Sequence, residues 1–173
     1  MDIINNFLNS DNLLIFFAIF ISVLIFKDLF KRNIFLYSIF VLPGTFLHEL
    51  SHFIFSLVLN GKPRKFSILP KRTERGYNLG YVTSHNIRWY NAIFIGLSPF
   101  SLLILFYYGL SLITITTDLY IIILYSYINT IILISSIPST QDFKVSFISW
   151  FIYLVFFSFL VIYIVLDFKL FSL

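Results

Sequence analysis

Hydrophobic residues fill this chain in long blocks with no alternation. The first block runs from Leu13 to Phe30 and the second from Ile34 to Leu59. The third runs from Asn91 to Ile113, the fourth from Leu119 to Ile137 and the fifth from Val145 to Leu166. A helix needs about 20 predominantly apolar residues to cross a bilayer. Strands of a transmembrane barrel would alternate apolar and polar positions, whereas these blocks are apolar on every side. Backbone groups in lipid must be satisfied within their own segment, which leaves helices as the spanning elements. The pattern predicts an all-α polytopic membrane protein of about five transmembrane helices. Residues 1–173 read as one integral membrane domain, with no internal repeat.

The stretch from Asn60 to Tyr90 breaks the pattern. KFSILP and LGYVTS are short β-type runs bounded by Pro and Gly, and the charged KRTERGYN between them reads as a turn. They predict a small β-hairpin in the loop between the second and third helices, near the membrane face. The plainer alternative is an ordered basic loop.

Composition agrees with a membrane protein. Hydrophobic residues make up 59% of the 173, and 12% are charged, about half the share of a soluble domain. Mean hydropathy is +0.92. Cysteine is absent, which excludes disulfides and thiolate metal sites. The opening MDIINNFLNSDN has no basic n-region, so the first block reads as a retained span and not a signal peptide. The net charge of +4 comes from basic residues beside the spans and does not point to nucleic acid. Lys62, Arg64, Lys65, Lys71, Arg72, Arg75, Arg88 and Lys144 share one side of the membrane, and Lys27, Lys31, Arg32 and Lys169 the other. Eight against four predicts a cytoplasmic N-terminus and a cytoplasmic 60–90 loop. Richness in Ile, Asn, Phe and Lys suggests an AT-rich, prokaryotic genome, and hence a multi-pass protein of its plasma membrane.

The second block contains HELSH, residues 48–52. In a helix His48 and His52 are one turn apart on one face. That spacing lets two imidazoles reach one Zn²⁺, and Glu49 beside them can act as general base on water. An ionisable residue at mid-membrane costs at least ~2.5–3.5 kcal/mol on insertion scales, so an intramembrane Glu needs a partner or a purpose. A catalytic zinc site normally has three protein ligands. The candidates are Glu74, His85, Asp118, Asp142 and Asp167. His52 is about 12 Å from the loop-side end of its helix. Asp142, in the non-helical-looking segment 138–144, enters from that same side and fits this depth best. Its bland reading is a helix cap. His85 is either a residue at substrate entry or an exposed loop histidine.

These features resemble the site-2 protease family of intramembrane zinc metalloproteases. HELSH in a span carries the resemblance, with LGYVTS on the zinc side, GLSPF opening the next helix and PSTQD after the following one, over about residues 34–145. GLSPF is similar to the family's Gly-Pro segment, and PSTQD to its late aspartate motif. The resemblance implies one Zn²⁺ per chain held by His48, His52 and Asp142, facing the cytoplasm, with Glu49 as general base. It implies a zinc-dependent endopeptidase acting on membrane-embedded proteins or peptides. The position of the family's oxyanion-stabilising Asn is Leu102 here, so Ser98, Ser101 or Asn129 would have to substitute. Phe143 stands where the usual late motif has Gly. Two other readings remain: a catalytically inactive relative using the metal structurally, or for sensing or transport, and a zinc protease whose third ligand is a downstream Glu. The latter would have to use Glu74, in a loop.

Overall fold

The computed structural model describes residues 11–73 and 76–171. The chain's first ten residues, Glu74 and Arg75 lie outside that range, and so does the N-terminal end of the topology expectation. Helix α1 spans Asp11–Phe30 and α2 spans Ile34–Val58. Four short strands follow: β1 Pro63–Ser67, β2 Lys71–Thr73, β3 Gly76–Asn78 and β4 Tyr81–Ser84. Then come α3 Ala92–Gly96, a 3₁₀ turn Ser98–Ser101, α4 Leu102–Ile115, α5 Leu119–Ser135 and α6 Thr140–Phe171.

Among the described residues, four segments are long and apolar enough to cross a membrane: Asp11–Phe30, Ile34–Val58, Ser98–Ile115 and Thr140–Val165. Helix α5 is apolar but has 17 residues. The outward faces carry large apolar side chains. Phe151 is 77% exposed and Phe159 69%, which suits lipid and not water. Two caps set helix starts. The Asn33 side chain accepts from the N–H groups of Phe35 and Leu36, opening α2. Asp118 accepts from the Tyr120 N–H and opens α5, so this candidate ligand is an N-cap.

Helix α5 packs against α1, α2 and α4. Buried Phe16, Ile113 and Ile122 join α1, α4 and α5. Asn129 stitches α5 to α4: its amide donates to the Phe106 carbonyl at 3.3 Å and accepts from the Leu110 N–H at 2.9 Å. Helix α3 packs against α6, and the Tyr153 hydroxyl donates to the Tyr90 carbonyl at 2.9 Å.

The strands differ in detail from the sequence expectation. β1 pairs antiparallel with β4, with Phe66 opposite Val82, and β2 pairs with β3 beyond them. The charged KRT and GYN read as a turn, yet they form this inner ladder. Backbone pairing needs no apolar side chains, so composition concealed it. The outer pair lies along α2. Phe66 meets Phe46 and Phe53 edge-on, and the Ser56 and Ser84 hydroxyls are 2.6 Å apart. The strands thus run beside the helix that carries HELSH.

Two helix boundaries also differ. The third block is not one helix, because α3 ends at Gly96 and the chain tightens through Ser98–Pro99 before α4. Residues 140–144, expected to be non-helical, form the start of α6, and the break covers only the residues around Pro138. Ser139 and Asp142 explain this. Asp142 Oδ2 accepts from the Ser139 N–H at 2.6 Å, and the Asp142 N–H donates to Ser139 Oγ at 3.3 Å. That reciprocal pair is a capping box, which starts a helix.

Candidate metal centre

His48 and His52 project from α2 toward the first turn of α6. Their Nε2 atoms are 3.2 Å apart. His48 Nε2 lies 3.3 Å from Asp142 Oδ2, and His52 Nε2 lies 3.2 Å from Asp142 Oδ1. Together the three residues could hold a metal ion.

The opposite ring nitrogens fix the tautomers. His48 Nδ1 is 2.8 Å from the Ser135 carbonyl, and His52 Nδ1 is 2.8 Å from the Ile95 carbonyl. A carbonyl only accepts, so each Nδ1 carries the hydrogen and each neutral ring turns a bare Nε2 lone pair inward. Two lone pairs and a carboxylate then converge with no hydrogen among them, an arrangement that a cation relieves. Tetrahedral bonds of about 2.0–2.1 Å place ligand atoms about 3.3–3.4 Å apart. The two nitrogens, 3.2 Å apart, fit that spacing, and each has a different oxygen of the Asp142 carboxylate at 3.2–3.3 Å.

Two prolines explain why those carbonyls are free. In a helix the Ile95 carbonyl would accept from residue 99, but Pro99 has no N–H. The carbonyl accepts from His52 instead, and also from the Ser98 hydroxyl at 2.8 Å. The Ser98 oxygen is in turn 3.0 Å from His52 Nδ1. The Ser135 carbonyl belongs to the last turn of α5, where carbonyls lack helical partners. Pro138 offers it no hydrogen, and the Ser139 N–H is taken by Asp142. The capping box also aims the Asp142 carboxylate, because one oxygen is held by Ser139 while both face the histidines. Cap and candidate ligand are therefore the same residue. Gly96 allows the close packing this needs, since a Cβ there would collide with the Ser146 side chain and the Asp142 carbonyl on α6.

Glu49 is buried and lies beside the backbone of Val82. It lines a cavity of about 470 Å³ together with His48, His52 and Asp142. The strands form one wall through Tyr77–Val82, and Gln141 borders Asp142. The other four candidates do not line this cavity. Ser98 is behind His52, on its Nδ1 side. The Ser101 hydroxyl donates to the Ser98 carbonyl. Asn129 is spent between α4 and α5, and His85 is exposed on the loop after β4. Sequence reasoning passed over Gln141, although its place next to the candidate ligand was a usable signal. It also passed over the two orienting carbonyls, which have no side-chain signature.

No protein-family model, curated protein or solved structure matches this chain.

Proposed function

We propose that the chain is a zinc-dependent intramembrane endopeptidase of the site-2 protease kind. The observation that supports it most is the convergence of His48 Nε2, His52 Nε2 and the Asp142 carboxylate within 3.2–3.3 Å of one another, with Glu49 on the wall of the same cavity. In this reading His48, His52 and Asp142 hold one zinc ion, which when bound supplies Lewis-acid chemistry and acidified water. Glu49 takes the proton from the attacking water and passes it to the leaving amine. Glu49 is buried beside Gly80 and Val82, on the wall of the cavity in which that proton transfer would take place. The substrate is a membrane-embedded protein or peptide, unwound where it meets the cavity. Extended backbone beside β4 would find hydrogen-bonding groups there.

Topology follows from the same reading. Helix α5, at 17 residues about 26 Å long, makes a fifth crossing. The α2–α3 strands and the metal centre then face the cytoplasm of a prokaryotic plasma membrane.

The decisive experiment compares the parent chain with Glu49→Gln on a single-span reporter, measuring cleavage and zinc content in parallel. Glu49 is not among the three ligands. The variant should keep about one zinc and lose cleavage by about 10²–10⁴-fold. Undiminished cleavage would refute the role of Glu49, and a parent that takes up no supplied zinc would refute the reading itself.

A further inference from the structure

The cavity does not stop at the metal centre. Its lining also includes Lys27, Tyr37 and Val41, with Tyr37 and Val41 on the turns of α2 that precede His48 and Glu49. Lys27 lies in the last turn of α1, inside a segment long and apolar enough to cross a membrane. It is half-buried. Among the described residues no carboxylate pairs with it, because its neighbour Asp28 bonds Lys31 at 2.7 Å. Lys27 borders the cavity that it shares with the proposed reaction centre. An ionisable residue placed this way inside a span marks a binding path.

We propose that Lys27 is the anion-recognition residue of this cavity. It receives a carboxylate carried by the bound peptide, either an Asp or Glu side chain or a chain-terminal carboxylate. This rests on the peptidase reading above and adds a specificity to it. Helix α2 measures the distance. Tyr37 and His48 are eleven positions apart, or about 16 Å along the helix. An extended peptide covers that in about five residues. The preferred substrate therefore carries its negative charge about five residues from the bond at the metal centre.

The test uses the full chain in detergent, loaded with zinc, and fluorescent apolar peptides ending in a hydroxamate that anchors one end at the metal. A single Asp, Asn or Lys is moved from two to eight residues away from the anchor. Binding is read by anisotropy for the parent, Lys27→Met, Lys27→Arg and Lys27→Glu, with zinc content confirming that each variant is folded. The parent should prefer Asp over Asn by about tenfold or more, with the preference peaking near five residues. Lys27→Arg should retain the preference, Lys27→Met abolish it, and Lys27→Glu transfer it to the Lys peptide. Peptides truncated at that position, as free acid or amide, tell a terminal carboxylate from a side chain. Tight hydroxamate binding without any Asp preference, or a preference surviving in Lys27→Met, overturns the anion site and leaves the metal centre standing. Absence of hydroxamate binding overturns both.

Discussion

Ser98 and Pro99 offer the sharpest test of how this centre is oriented. The His52 Nδ1–H has two acceptors, the Ile95 carbonyl at 2.8 Å and the Ser98 hydroxyl at 3.0 Å. The Ser98 hydroxyl hydrogen is committed to Ile95 at 2.8 Å, so its oxygen is free to accept. Ser98→Ala removes one of the two acceptors and leaves the other. A hydrogen bond is worth about 0.5–1.5 kcal/mol net, so zinc affinity should fall by about two- to tenfold. Pro99→Ala acts on the other acceptor by restoring an N–H that competes for the Ile95 carbonyl. Alone, each variant leaves the ring one good partner. The double variant leaves it none that is uncontested, and the loss should reach about 10–100-fold, as for other orienting partners of metal-bound histidines. The two effects should therefore be more than additive, since both residues act on one ring nitrogen. Competition against a fluorescent zinc chelator, on protein purified in detergent, measures all four species. Losses that add within about 0.3–0.5 kcal/mol, or a double variant with parental affinity, would refute the shared-orientation argument.

Other consequences are more direct. Asp142→Ala should reduce zinc from about one per chain to a small fraction by elemental analysis, and should also destabilise the start of α6, because one carboxylate serves as ligand and cap. Gly96→Ala should cost about 1–3 kcal/mol of stability through overpacking against Ser146, and should weaken zinc binding by displacing α6, both readable in a thermal melt with and without metal. Asn129→Leu should lower resistance to denaturing detergent by about 0.6–1.7 kcal/mol while zinc content stays parental, since the amide joins α4 to α5 away from the cavity. The chain has no cysteine, so Thr117→Cys and Lys65→Cys can be labelled singly in intact cells. An impermeant thiol reagent should label position 117 and spare position 65; the opposite result would invert the proposed topology.

The apolar blocks were legible because lipid-facing composition leaves few alternatives to helix. Their boundaries were less so, and the misses share a cause. The block from Asn91 to Ile113 was read as one span with GLSPF at its opening, and Ser139 with Pro138 as non-helical backbone. The chain uses both prolines to end regular hydrogen bonding where a carbonyl is needed for a histidine. Ser139-Thr-Gln-Asp142 is a visible capping pattern, yet reading Asp142 as either ligand or cap set apart two roles that one carboxylate is placed to fill. The β2–β3 ladder was hidden by charged side chains that face away from any core.

HELSH itself places two nitrogens one turn apart and no more. A helix with that pentapeptide alone leaves each ring free to rotate and to carry its hydrogen on either nitrogen. The Ser135 and Ile95 carbonyls remove that freedom, and each is free because its helix is interrupted at a particular proline. The third ligand arrives the same way, since the break after α5 is what allows a capping box to start α6 beside His48. The short GLSPF and PSTQD stretches are thus as much a part of the centre as the histidines. A chain that kept HELSH but replaced Pro99 and Pro138 with helix formers should retain its spans and lose the zinc binding proposed for it.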